Sequence, residues 1–249
     1  MKPQVSVIIL AHNEGEAIVP CLERILASIQ LPCEVLVVYD SPDDTTIPWI
    51  EKCRQADQRV APVLNLYGSG PARAIRFGFA QASADVAVVT MADGCDDPMQ
   101  IDALARLVDR GVAIAAASRY MRGGRQIGGP FLKSSMSRLA GLSLHFLARV
   151  GTRDATNSFK AYSTEFVRSV GIDSDEGFEV GLELVAKARR LRLPVAEIPT
   201  IWLERTSGQS NFKLHKWLPH YLRWYRYAFG PKLSVEAVRS DREPARCAP

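Results

Sequence analysis

The chain is poor in cysteine, lacks long apolar runs and, over two stretches, has no acid at all. Its five cysteines (Cys21, Cys33, Cys53, Cys95 and Cys247) are too few and too scattered for a disulfide scaffold. No C-x-x-C occurs, which speaks against a zinc ribbon or a thioredoxin-like site. Reduced thiols in cytoplasm are the expectation. No stretch approaches the roughly 18 consecutive apolar residues of a membrane-spanning helix. The first apolar run, Val5–Ala11, is too short for a signal-peptide core and is interrupted by Asn13-Glu14. His12, His145, His215 and His220 show no metal-ligand spacing, and no Ser-His-Asp order stands out. No nucleic-acid recognition module is visible.

Acid is missing where base is plentiful. Between Asp109 and Asp154 there is no Asp or Glu, but there are eight cations: Arg110, Arg119, Arg122, Arg125, Lys133, Arg138, Arg149 and Arg153. A second acid-free stretch, Arg205 to Val235, carries Arg205, Lys213, Lys216, Arg223, Arg226 and Lys232. The formal net charge is only +4, so the signal lies in the distribution. Two such blocks point to a phosphate-bearing partner, with ordinary solvated surface as the bland alternative.

What is present is a β/α alternation. Apolar runs rich in Val and Ile predict buried strands at Val5–Leu10, Glu34–Tyr39, Ala61–Leu66, Ala84–Thr90 and Val112–Ser118. Helical spacing predicts helices over Glu16–Ile29, Thr46–Asp57, Gly68 to about Ala82, and Pro98–Arg110. This alternation implies an α/β fold with a mostly parallel central sheet flanked by helices. The second half reads as a mobile Gly-rich loop (Arg122–Pro130), a weakly amphipathic helix (Leu132–Val150), a helix over Phe178–Leu191, a strand over Val195–Leu203 and an aromatic, basic segment (Lys216–Phe229). The expected layout is one domain over 1–230, in two halves (1–118 and 119–230), with a flexible tail over 231–249.

In parallel sheets ligands gather beyond the carboxyl ends of the strands. Asp40 follows the second strand and suits a base or ribose, or else only forms a turn with Asp43 and Asp44. Gly68-Ser-Gly-Pro-Ala-Arg is not a P-loop; Gly70 allows close backbone approach, and Arg73 either holds a phosphate or pairs with a nearby acid. Asp93-Gly-Cys-Asp-Asp-Pro places three carboxylates after a central strand, hard ligands suited to Mg²⁺ or Mn²⁺ beside a diphosphate. Asp93, with or without Asp96, is assigned to metal or diphosphate, and Asp97 to capping the helix at Pro98. Glu14 suits a nucleobase or ribose, or a helix start.

Together these turns resemble the family 2 glycosyltransferases of GT-A fold, and within them the dolichol-phosphate mannose synthase-like group. Val5 to Glu14 resembles the opening strand and P-A-Y-N-E turn, and Tyr39-Asp40-Ser-Pro-Asp-Asp-Thr resembles D-D-S-P-D-G-T. Ser118-Arg119-Tyr120 with Gly123-Gly124 resembles S-R-Y-x-x-G-G, and Lys133 to Arg138 resembles R-x-x-x-S-R. Asp154 to Tyr162 resembles D-x-x-S-G-F-R-A-F, Gly177 to Glu183 resembles G-F-E-x-x-L-E, and Arg205 to Ser210 resembles R-x-x-G-x-S. The resemblance covers about residues 4–229. It implies inverting transfer of a hexose from a nucleotide-diphosphate sugar, bound through Ala11, His12, Glu14, Asp40 and Asp93, to a polyprenyl phosphate. Arg119, Lys133, Ser137 and Arg205 match the phosphate-gripping positions; Arg125 is added from the basic loop. The family's D-x-D is incomplete: Met91 stands at its first Asp, Asp93 at its second, and Cys95 at the following Gln. A lipid acceptor implies peripheral attachment at the cytoplasmic face of the membrane, alone or with a membrane-protein partner. A soluble saccharide acceptor is the alternative and would need a carboxylate base, Asp97 or Asp154. A nucleotide-sugar-binding protein without turnover is a further alternative.

Overall fold

Every residue of Val5–Leu10 (β1) is buried, because both faces of this strand are covered. Val7 and Ile9 join a core with α1 (Ile18–Ser28), α2 (Ile47–Ala56) and α4 (Ile101–Asp109). Ile8 and Leu10 join a second core with α3 (Pro71–Gln81), α6 (Thr164–Val170) and α7 (Val180–Leu191). The continuous apolar run therefore encodes a central strand of a three-layer sandwich. The computed structural model describes residues 2–204 and 214–240, with backbone alone at 131–133, 214–217 and 240.

The remaining strands of the main sheet are β2 (Cys33–Tyr39), β3 (Val60–Leu64), β4 (Val86–Met91), β5 (Ile114–Ser118), β7 (Lys160–Ser163) and β8 (Val195–Pro199). Their order is β3-β2-β1-β4-β7-β5-β8. β1 is parallel to both β2 and β4, and β8 is parallel to β5. β7 is antiparallel to both its neighbours. The chain moves outward from β1 to β3, then returns to the other side of β1 as β4. That reversal is the topological switch at which α/β sheets bind ligands. Because β7 runs backwards, the loop leading into it arrives at the same edge as the ends of β4 and β5. One sheet thus joins the two halves expected from the sequence.

Three expectations change. Arg122–Pro130, read as a mobile loop, contains β6 (Arg125–Ile127), which pairs in parallel with β9 (Ile201–Leu203). A three-residue strand among glycines leaves no periodic signal. The single strand expected over Val195–Leu203 breaks at Thr200 into β8 and β9, after Pro199, which has no N–H to donate. The long helix is α5 (Phe131–Ser143) followed by a π-helical turn, Leu144–Ala148, ending at Arg149 in left-handed backbone (φ 58°).

The aromatic segment forms α8 (Leu214–Tyr227). The expected tail from Pro231 includes a short helix, α9 (Val235–Ser240), whose Val238 is buried in the second core. Arg239 Nε donates to the Ser169 carbonyl at 2.5 Å. Six residues with one apolar face are too few to signal a helix without its tertiary partner. Residues 241–249 lie outside the described chain.

Gly78 lets α3 lie directly on the sheet: a Cβ there would stand 2.5 Å from Ile8 Cγ2. Gly78→Ala should cost about 1–3 kcal/mol by overpacking, less up to about 1 kcal/mol regained from alanine's helix propensity. A lower urea midpoint with unchanged m-value checks this.

Candidate active site

Asp40 lies just past β2 and is tied to the glycine turn. Its Oδ1 accepts from Asn65 Nδ2 and its Oδ2 from the Gly70 N–H, both at 2.8 Å. Asn65 Nδ2 also donates to the Gly68 carbonyl at 2.8 Å. Gly70 has φ 123°, a conformation that favours glycine. The carboxylate therefore shapes the turn as well as offering its remaining lone pairs. Asp44, not Asp40, links the turns after β1 and β2: it is buried and accepts from the backbone N–H of Asn13 (3.1 Å) and Thr46 (2.8 Å). Glu14 N–H donates to Thr46 Oγ1 at 3.0 Å. Ala11 is buried at the end of β1 and His12 is exposed beside it. Arg73 is half-buried, with its guanidinium beside Gly68 and no acid paired to it among the described residues.

The acidic turn after β4 is the next feature along this edge. Asp93 Oδ1 accepts from the Cys95 N–H at 3.1 Å. Asp96 Oδ2 accepts from Thr90 Oγ1 at 2.8 Å. Burial, then the neighbouring charge of Asp93, pushes the Asp96 carboxyl up to about 7. Cys21, beneath the turn, is likewise pushed up to about 12, by burial and then by Asp93 and Asp96. Two acids concentrating negative potential suit a divalent cation. No group of three or more ligating side chains occurs among the described residues. The set fits Mg²⁺ or Mn²⁺ in the mode in which one or two carboxylates share the ion with substrate phosphates and water. Asp97 takes the expected cap, Oδ1 accepting from the Met99 N–H at 3.1 Å. The β6–β9 ribbon closes over this region, Leu203 N–H donating to the Cys95 carbonyl at 3.1 Å.

Beyond β5 the site turns cationic. Arg119 grips Asp154 bidentately, Nε to Oδ2 at 2.7 Å and Nη2 to Oδ1 at 2.8 Å, with its own N–H to Oδ2 at 3.0 Å. Burial opposes the guanidinium charge, but Asp154 outweighs it and holds Arg119 firmly protonated. Arg119 Nη2 reaches Ser137 Oγ of α5 at 3.4 Å. Ser137 Oγ also meets Tyr120 OH (3.1 Å) and Thr156 Oγ1 (2.7 Å). The structure thus brings Arg119 and Ser137 together. Lys133 lies one helical turn before Ser137, but its side chain, and the whole of Arg205, fall outside the described residues. Arg125 is exposed on β6.

Sequence reasoning gave Asp154 only a base role in the alternative reading. Its signal was its position: it is the first acid after the long acid-free block. Lys160, also missed, is fully buried and donates to the carbonyls of Ala155 (3.2 Å) and Asn157, fastening the loop that carries Asp154. Burial lowers its pKa to about 7. The two acids of Gly177–Glu183 have separate fates. Glu183 is structural, accepting from Asp173 N–H (2.7 Å), Ser174 N–H (2.9 Å) and buried Lys187 Nζ (2.5 Å). Glu179 is equally buried, yet its Oε2 has no hydrogen-bond partner among the described residues. Burial, then the charge of Glu179, pushes the Tyr221 hydroxyl of α8 up, and Arg119 pulls it down.

The sheet thus carries acids at its switch point and, beside them, an arginine fixed by Asp154 next to Ser137. The model of "Glycosyl transferase family 2" matches residues 6–171, and the chain belongs to that family. It is 30% identical over 234 residues to "Dolichol-phosphate mannosyltransferase" of Pyrococcus furiosus, covering 90% of this chain and 64% of that protein. The chain thus spans less than two thirds of that relative. It is 26% identical to "Undecaprenyl-phosphate mannosyltransferase" of Micrococcus luteus (84% of this chain, 87% of the relative). It is 28% identical to "Polyprenol monophosphomannose synthase" of Mycolicibacterium smegmatis (82% and 79%). The GT-A fold is shared with glucosyl-3-phosphoglycerate synthase of Mycobacterium tuberculosis, solved with Mn²⁺, UDP and glucosyl-3-phosphoglycerate (TM-score 0.64, 18% identity, 93% of this chain and 82% of that one).

Asp154→Ala would strand the buried Arg119 charge and should cost about 3–5 kcal/mol of stability. Asp40→Ala, which strands one N–H and one amide donor, should cost about 1–3 kcal/mol. Urea titration of both variants tests this ranking; a small loss for Asp154→Ala would mean that Arg119 turns to solvent.

Proposed function

We propose that the chain transfers a hexose, with inversion, from a nucleotide-diphosphate sugar to a polyprenyl phosphate at the cytoplasmic surface of a membrane. The observation that carries this reading is the engagement of Asp154 and Asp97. A hydroxyl acceptor needs a carboxylate to take its proton. Asp154 is locked to Arg119, and Asp97 caps a helix. An ionised phosphate needs no such base. The names of the relatives, which are transferases to dolichol, undecaprenyl or polyprenol phosphate, support the same acceptor class.

In this reading Ala11, His12, Glu14 and Asp40 hold the nucleoside, while Gly70 and Arg73 flank the donor. Asp93 and Asp96 hold the metal, which when bound offsets charge on the leaving diphosphate. Arg119 and Ser137, with Lys133, Arg125 and Arg205, take the acceptor phosphate. A phosphate oxygen of the acceptor forms the new bond to the anomeric carbon from the face opposite the diphosphate. The bond to the diphosphate breaks and its electron pair leaves with that group. Glu179, with its unpartnered buried oxygen, is suited to a hydroxyl of the sugar. Preorganised charge supplies the rate, as expected where charge moves between two phosphates.

The aromatic, basic segment over Lys216–Phe229 does not turn all its aromatics outward. Trp224 is buried, donating to Ser174 Oγ at 2.9 Å. Among the described residues, large apolar side chains that face outward are Leu139 (72% exposed) and Phe146 (64%) on one helical run, and Leu222 and Phe229 on the other. Ser143 and Tyr225 join the two runs at 2.9 Å. No helix among the described residues is long and apolar enough to span a bilayer, so a surface-lying face is the form proposed.

The test is transfer from UDP- and GDP-sugars, with and without Mn²⁺, to polyprenyl phosphate in vesicles and to soluble saccharides. The expected result is product on the lipid phosphate alone, with Asp93→Ala lowering kcat about 100-fold or more. Efficient transfer to a soluble alcohol without lipid phosphate would contradict it. Absence of turnover with every donor would favour a binding protein.

A further inference from the structure

At the opposite end of the sheet from the active site lies a cavity of about 610 Å³, lined by four cations and by no acid. Arg149 follows the π-helical turn, Arg189 and Arg192 end α7, and Lys232 follows α8. Leu193 and Val195 form part of its apolar wall. Val195 opens β8, which runs parallel to β5, so this is the amino end of the sheet. The volume is in the range of small-molecule sites.

The plainest explanation for cations here is completion of helix ends, whose free carbonyls favour positive charge. Arg189 does that work: Nε donates to the Ala148 carbonyl at 2.8 Å and Nη1 to the Gly230 carbonyl at 2.7 Å. Arg149, Arg192 and Lys232 are exposed and make no ion pair among the described residues. Three like charges gathered around one cavity repel each other, and an anion would relieve them.

Residues in and next in the chain to the cavity's lining give the anion's character. Phe146 and Leu147, 64% and 71% exposed, immediately precede the buried Ala148 and Arg149. Leu193, 38% exposed, directly follows Arg192. Exposed apolar side chains next to a basic cavity match a ligand with a phosphate and hydrocarbon chains. We propose that this cavity is an accessory site for the headgroup of an anionic phospholipid, separate from the acceptor phosphate site. Ser137 and Arg149 are 12 positions apart in the sequence, roughly 18 Å at 1.5 Å per helical residue. The headgroup site would therefore hold the far end of the α5 face on the bilayer while the acceptor end stays at the active site.

This inference rests on the membrane-surface part of the reading above, but its test does not depend on transfer. The triple variant Arg149→Gln, Arg192→Gln, Lys232→Gln leaves Arg189 and its two carbonyl bonds in place. Binding of the full chain would be measured on phosphatidylcholine vesicles with and without phosphatidylglycerol. The wild type should prefer the anionic vesicles. The variant should bind them roughly a hundredfold more weakly, with unchanged binding to neutral vesicles and unchanged melting temperature. Transfer to acceptor dispersed in detergent should also be unchanged. Equal binding of variant and wild type to anionic vesicles would overturn the proposal, as would an equal loss on both vesicle types. Titration with inorganic phosphate and glycerol phosphate forms the second arm. Tight binding of either, lost in the variant without a vesicle effect, would make this a soluble-phosphate site and reject the lipid assignment. If the chain glycosylates only soluble acceptors yet the variant loses anionic-vesicle binding, the function reading fails and this inference stands. Lipid transfer with unaltered vesicle binding of the variant gives the converse.

Discussion

A guanidinium buried at the end of a strand must be paired, and much of the structure beyond β5 follows from how Arg119 is paired. Its partner, Asp154, is 35 residues later in the chain, on the loop that leads into β7. Because β7 runs antiparallel between β4 and β5, that loop reaches the edge where Arg119 emerges. Lys160 holds the loop by two of its carbonyls, and Ser137 adds α5 to the same cluster. Removing the acid would leave a charge with little access to water, a far greater penalty than the pair's net gain. The pair is thus best understood as a positioning device. It fixes one cation and uses up one carboxylate that could otherwise serve as a base.

The acidic edge beyond β1, β2 and β4 has a different logic. Parallel strands β1, β2 and β4 end together at the switch point, and short loops there carry carboxylates. Asp40 and Asp44 spend part of their hydrogen-bonding capacity on neighbouring loops, so the turns are stiff before any ligand arrives. Burial, and then the charge of Asp93, raises Asp96 well above its ordinary range. Arg119 also acts on Asp96, lowering it, so the acidic turn after β4 and the Arg119 cluster are electrostatically coupled.

The parts legible in the sequence were those with period or position. Buried parallel strands announce themselves as apolar runs, and the turns directly after them follow from the strand ends. Asp97 as a cap, and Arg119 with Ser137 as neighbours, follow from local chemistry and from the family resemblance. What stayed hidden depends on long-range contact. The β6–β9 ribbon, each strand three residues long, exists because two distant segments pair. The separation of Glu179 from Glu183 cannot be read from spacing, since only the fold supplies Lys187 and two backbone donors to one of them. Trp224 lies in an aromatic, basic segment, yet its indole N–H is satisfied by Ser174 in the core.

The central claim is that the Arg119–Asp154–Ser137 cluster receives an acceptor phosphate. A crystal or cryo-EM structure of the chain bound to a short-chain isoprenyl phosphate, with a nucleoside diphosphate and Mn²⁺, tests it most directly. The account predicts acceptor phosphate oxygens about 3 Å from the Arg119 guanidinium and Ser137 Oγ, with Asp154 still paired to Arg119. An acceptor phosphate bound elsewhere, or Asp154 released from Arg119 and turned toward an acceptor hydroxyl, would contradict it.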